Sequence, residues 1–156
     1  MRISHKADYG VRAVVALARA LGDEPGTPVT RERLSTAESI PGKFLDDILR
    51  SLRNGGIVRS HRGPEGGWTL ARSPERITVA DIIRSLEGPL ASVRGIRPHE
   101  LGDEGVAEPF VSLWVAVRVA LRSVLETVTV ADLVAGELPS EVARLLEDPD
   151  AWTASS

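Results

Sequence analysis

Cysteine is absent from this 156-residue chain. The absence excludes disulfides, thiolate zinc sites, cysteine-ligated iron–sulfur clusters and a cysteine nucleophile together. Long apolar runs are absent as well. The longest uncharged apolar stretch, Pro109 to Val117, is too short to cross a bilayer. Arg12 and Arg19 bracket Ala13–Ala18 and leave that run too short for a secretory h-region. The expectation is a soluble cytoplasmic protein with no membrane partner. No P-loop, no pair of metal ligands at helical spacing and no nucleophile motif occurs, so nothing points to an enzyme. A positive net charge is lacking too. The formal charge is −3, which on its own argues against a nucleic-acid partner.

The charge is unevenly placed. Residues 1–88 carry 14 Lys and Arg against 11 Asp and Glu, a balance of +3, and residues 89–156 carry 5 against 11, a balance of −6. A basic front joined to an acidic back can still meet phosphate with the front. With 42% apolar and 26% charged residues the composition is that of a folded globular chain. The length suits one domain, or a small domain with an appendage.

Residues 5–21 read as a helix, with Ala7, Val11, Val14, Leu17, Ala18 and Leu21 at helical spacing and Gly22 as a stop. Asp8 and Arg12 lie four apart on another face and can pair. After a Gly/Pro loop, Thr30 N-caps a short helix that ends near Ala37, with Val29 and Leu34 as its hydrophobic staple. Pro41 sits in the first turn of a third helix. Phe44, Leu45, Ile48, Leu49 and Leu52 form its apolar face, and Lys43, Asp46, Asp47 and Arg50 lie opposite. Asn54-Gly55-Gly56 ends it with residues that tolerate positive φ. Two helices joined by a very short turn, the second with a polar outer face, make a helix-turn-helix pattern.

Two short β segments follow, residues 57–60 and 68–71, with a Gly/Pro-rich loop between them. A hairpin in this place reads as a wing with Arg62 and Gly63 at its tip. Thr78 and Asp81 form a capping-box variant at the start of a fourth helix, with Ile77 and Ile82 as the staple, and Gly88-Pro89 stops it. Residues 89–108 read as a loop. A long helix then starts near Pro109 and carries Phe110, Leu113, Trp114, Val117, Leu121 and Val124 in a heptad-like stripe. Thr129–Leu133 repeats the capping signature of Thr78–Ile82, as a recurring helix start. Residues 140–147 suit a last short helix, and the tail 149–156 suits fraying. The fold class is therefore mainly α with a small β-hairpin, a winged helix-turn-helix plus a long helix. The organisation expected is a DNA-binding unit over 1–88, a loop over 89–108, a dimerisation helix with C-terminal helices over 109–148, and the tail.

Lys43 lies in the first turn of the third helix, where helix-turn-helix proteins contact base edges. It can donate to guanine, and Asp46 can accept from cytosine. The plainer alternative is that Lys43–Asp47 and Asp46–Arg50 are solvated i,i+4 pairs. Arg62 and His61 suit DNA contact from the wing, flanked by Gly63, where Gly66 and Gly67 let the backbone approach a phosphate closely. Thr30 and Arg31 open the second helix, whose free N–H groups suit a phosphate. Arg50 and Arg59 suit phosphate contacts rather than sequence reading. Trp68 suits packing the wing onto the helical body. The stripe on the long helix is too apolar to stand in water alone and suits a two-fold dimer interface.

The run IPGKFLDDILRSLRNGGIVRSHRGPEGGWTLAR, from Ile40 to Arg72, resembles the core of the Rrf2 family of bacterial winged-helix regulators. ISHKADYGVRAVVALA before it and ITVADIIRSLEGPL after it fit the same family, and the resemblance spans residues 3 to about 136. It implies a homodimeric repressor of a palindromic operator, whose long helix pairs across the two-fold axis and whose wing arginine, here Arg62, enters the minor groove. A regulatory adaptor acting through a partner enzyme is the alternative. Cluster-binding members hold cysteines in the loop before the long helix. Here Leu90–Ala107 has none, so neither a cluster nor any other cofactor or metal is expected. His99, Glu100, Asp103, Glu104 and Glu108 occupy that region as ordinary solvated residues. An unidentified small-molecule effector or partner protein is left to supply control. The crevice between first helix, loop and Trp114 is its natural place, with Asp8, Arg12 and His99 as polar groups.

Overall fold

The computed structural model describes residues 2–153, so 154–156, the end of the expected tail, lie outside the described residues. Helix α1 (His5–Asp23) is the central element and packs against α2 (Arg31–Glu38), α3 (Gly42–Asn54), α4 (Val79–Glu87) and α6 (Val130–Ala135). Its Ala7, Ala13, Val14, Leu17 and Ala18 are buried. Gly10 is buried where α1 meets α4, and a side chain there would collide with Leu86. The helix passes through Gly22 instead of stopping before it. Glycine in a helix costs only about 1 kcal/mol. Pro25 is the effective stop, because it drives Glu24 out of the helical region to φ −133°. Leu21 is correspondingly exposed at the end of its face.

The turn between α2 and α3 is closed by local bonds. Ser39 takes a left-handed conformation at φ 52°, Ile40 N–H donates to Ser35 O at 3.0 Å, and the Ser35 hydroxyl donates to Ile40 O at 2.6 Å. Ile40 is thereby driven into the core, and Pro41 becomes the N-cap of α3, one residue before the first turn. Leu45, Ile48, Leu49 and Leu52 are fully buried. Each contributes about 1.5–3 kcal/mol. Phe44 departs from the expected apolar face. It stays 42% exposed and meets Tyr9 edge-on at 5.8 Å.

Strands β1 (Val58–His61) and β2 (Gly67–Leu70) pair antiparallel in the register Val58↔Leu70 to His61↔Gly67, which moves His61 from the expected loop into the strand. Val29 bridges to Trp68 through reciprocal bonds of 2.9 and 2.8 Å, so the wing is fastened to the residue just before the α2 N-cap. Trp68 is half-buried against the core.

Helix α5 (Glu108–Leu125) leans on α4 and on a 3-10 turn at Pro98–Glu100, and none of its residues is fully buried. The expected loop 89–108 is therefore partly ordered, with Leu90, Pro98 and Leu101 buried. Helix α6 returns to the winged body, where Val130 joins the core cluster of Val14 and Ile77. Helix α7 (Ser140–Ala143) runs into 3-10 turns at Arg144–Glu147 and Pro149–Trp152, and Trp152 Nε1–H donates to Leu146 O at 3.1 Å. The described part of the tail is thus folded back.

Candidate nucleic-acid interface

Burying one face of α3 completely leaves the other in solvent. Lys43, Asp46, Asp47 and Arg50 are all exposed. Their pairing differs from the i,i+4 alternative. Arg50 bonds Asp47 at 2.9 Å, and Asp46 turns to Arg31 on α2 at 3.3 Å. Lys43 has no ion pair among the described residues, so its ammonium is available to a ligand.

Arg31 lies across the start of α3, over Gly42, where a side chain would press on its guanidinium. It also bonds Glu32 at 2.7 Å. The Glu32 hydrogen bond, followed by the charge of Asp46, raises the Arg31 pKa, and the bond from Arg31 lowers that of Glu32. Two acids thus hold the arginine expected to meet phosphate. Thr30 accepts from Arg33 N–H at 3.2 Å, so its hydroxyl caps α2.

The wing is pinned at its neck and open at its tip. His61 Nε2 and Thr69 Oγ1 stand 2.8 Å apart across the strands, while Arg62 and Gly63 are exposed beyond them. Gly63 has φ 104°. Gly66 and Gly67 do not open a space for phosphate as expected. The room of a side chain at Gly66 is filled by the hairpin's own His61 and Gly63 carbonyls, and at Gly67 by the Val29 carbonyl. These glycines serve the close approach of the wing to itself and to the chain before α2.

Arg59 is exposed on β1 and shares a surface groove with Arg53 and Arg72. Arg72 is held by Asp81 at 3.5 Å, whereas Arg53 is exposed and has no ion pair among the described residues. Arg53 was not among the expected contacts. Its spacing three residues after Arg50 is the signal that places it beside the polar face of α3.

On α5, Phe110, Leu113 and Trp114 are exposed, and Val117, Leu121 and Val124 are half-buried. The expected effector residues are not brought together. Arg12 reaches Asp8 at 3.4 Å, as the spacing predicts, but also Glu38 at the end of α2 at 3.3 Å. The crevice between α1, the loop and α5 is lined instead by apolar side chains such as Ile83, Leu90, Leu121 and Leu125, with Arg2 and Glu87 as its charged groups. His99 stands 3.8 Å from Glu100. No group of three or more His, Cys, Asp or Glu among the described residues converges to hold a metal. No described helix is long and apolar enough to cross a membrane.

The sequence profile of the Rrf2 family, described as iron-dependent transcriptional regulator, matches residues 3–136. A Mycobacterium tuberculosis protein named as an HTH-type transcriptional regulator is 48% identical over 148 residues, 95% of this chain and 90% of its own. The HTH-type transcriptional regulator CymR of Bacillus subtilis is 35% identical over 133 residues, 85% of this chain and 89% of its own. The solved structure of CymR, the global cysteine regulator of B. subtilis, superposes with a TM-score of 0.71 at 32% identity, covering 87% of this chain and 98% of that one. That of T. potens IscR superposes at 0.67 and 29% identity, covering 100% and 94%. The iron of the family description finds no fit here. The chain has no thiolate, and the loop's donors do not converge.

Proposed function

The chain belongs to the Rrf2 family of winged-helix transcriptional regulators, and from that premise we propose that it acts as a homodimeric repressor on a palindromic operator, without a cluster. The observation that carries the reading is the division of α3. One face is locked in the core, and the other is solvent-exposed, with Lys43 in its first turn free of any ion pair among the described residues.

Lys43 reads base edges, Arg62 at the open wing tip enters the minor groove, and Arg50, Arg59 and the α2 start at Thr30 and Arg31 hold phosphates. His61 fixes the wing neck through Thr69 and presents the tip. Gly63 gives the tip its turn and Gly66 its tightness. Asp46 acts through Arg31, which it holds over the start of α3. The exposed stripe of α5 pairs with its copy across a two-fold axis. That spaces the two α3 helices about one helical turn of DNA apart, or a multiple of it. Residues 1–88 then form the reading head, 89–108 the connecting loop, and 109–148 the arm, with α6 folded back onto the head.

The test is quantitative binding to an operator duplex selected from random sequence. Arg62→Ala should weaken binding more than Arg144→Ala, which lies in the acidic back half. Lys43→Ala should relax preference at one or two base pairs, at about 1–3 kcal/mol per lost base contact. Affinity should fall steeply with salt as counterions are released. Wild-type affinity in the Arg62 variant at moderate salt would remove the wing from the interface.

A further inference from the structure

The acidic stretch 89–156 has five basic residues, and two of them, Arg97 and Arg118, converge with Arg84 on one cavity. Arg84 comes from α4, Arg97 from the residue before the Pro98–Glu100 turn, and Arg118 from the middle of α5. Gly88, Pro89 and Leu90, where the chain leaves α4, complete the lining. Every ionisable side chain in that lining is a cation. The buried Leu90 adds an apolar wall. The cavity measures about 380 Å³. Sites for small molecules span roughly 300–1,000 Å³.

The neighbouring acids do not balance the charge. Glu126 bonds Arg84 but is shared with Arg122 at 2.9 Å. Glu100 stands 4.0 Å from Arg97, the outer limit of an ion pair. Arg118 is half-buried and has neither an ion pair nor a side-chain hydrogen bond among the described residues. A cleft walled by one sign of charge focuses its field and concentrates the opposite ion. Guanidinium forks match the oxygen pairs of carboxylate and phosphate.

We propose that this cavity binds a small dianion, a phosphate- or dicarboxylate-bearing metabolite, held between Arg84, Arg97 and Arg118. Arg118 supplies the unpaired fork, Arg97 closes from the loop, and Leu90 packs against the carbon skeleton. The bound dianion joins α4, the loop and α5, and so sets the angle of the arm on the winged body. Its effect on DNA binding rests on the regulator reading above, and its binding does not.

Isothermal titration of the full-length chain with inorganic phosphate and with succinate, at constant ionic strength and against a chloride control, tests the site. The expected result is one saturable site per chain for at least one probe. Arg118→Gln and Arg97→Gln should each weaken it about tenfold or more, the scale of a charge-assisted contact. Arg62→Gln should leave it unchanged. Arg97 is exposed on the loop, so its variant keeps the test valid if the Arg118 variant misfolds. The two probes separate a tetrahedral from a dicarboxylate ligand. Failure of both probes to exceed chloride, or unaltered binding in both variants, would overturn the proposal. So would an Arg118 variant that loses affinity and salt dependence toward duplex DNA in dianion-free buffer, because the cavity would then meet DNA phosphate. A wild-type chain that binds a probe but no DNA would instead overturn the regulator reading and leave this site standing.

Discussion

Thr78 and Thr129 face each other across a short antiparallel bridge, and each caps its own helix with the same reciprocal box. Thr78 accepts from Asp81 N–H and Asp81 accepts from Thr78 N–H, at 3.1 and 3.2 Å; Thr129 and Asp132 repeat the exchange. Val79 N–H donates to Val128 O and Val130 N–H to Ile77 O. The start of α6 is thereby tied to the start of α4, and the far end of the long arm to the winged body.

Removal of one cap tests that tie. Thr129→Ala should lower stability by about 1 kcal/mol, within the 0.5–2 range of N-cap deletions. Urea unfolding gives the value. A change of no more than a few tenths would mean that the bridge holds α6 without its cap.

Glu126, the C-cap of α5, ties the arm to α4 by a second route, through Arg84. The hydrogen bond from Arg122, followed by that from Arg84, holds its carboxyl at about 2, below the ordinary 4.5. A carboxyl whose folded pKa is depressed adds stability above its unfolded pKa and loses it as pH falls toward the folded one. The contribution of Glu126 is therefore complete above about pH 4.5 and gone near pH 2. Glu126→Gln should be less stable than wild type at neutral pH, with the difference closing through that window. Equal thermal midpoints at neutral pH would show that solvent screens the pair completely.

Local signals were legible in the sequence, and distant ones were not. The Thr30, Thr78 and Thr129 caps, the buried face of α3 and the hairpin each follow from residues within one turn or strand of each other. Phe44 looked like core because periodicity marks a face but not its edge. Gly66 and Gly67 looked like openings for phosphate, because nothing in the sequence tells which carbonyl fills the space of a missing side chain. Arg12 and Asp8 were paired correctly, yet the pull of Glu38, 26 residues on, was invisible. The meeting of Arg84, Arg97 and Arg118 depends on how α5 is laid against α4, which no local pattern encodes.

The arm gives the sharpest test of assembly. Phe110 and Leu113 are 59% and 51% exposed on a helix with no fully buried residue. Contiguous apolar surface of this kind marks an interaction site. Val117→Glu, in the middle of that stripe, should give a monomer or an insoluble chain in sedimentation experiments. A soluble dimer with undiminished operator affinity would exclude the stripe as the interface.

The missing thiolates set the last expectation. Iron–sulfur centres are held by soft thiolates, and this chain has none to offer. In the region where cluster-binding relatives carry ligands, His99 faces Glu100 at 3.8 Å. Imidazole and scattered carboxylates suit harder or borderline metals, and hold them weakly without a formed cage. The chain should therefore purify colourless under anaerobic conditions, without iron or inorganic sulfide. Its operator affinity should be the same with oxidant, reductant or chelator. Metal analysis of anaerobically purified chain, followed by operator binding with and without chelator, decides the matter. A stoichiometric metal whose removal abolishes binding would reverse this expectation and make His99 and its neighbouring acids the first residues to substitute.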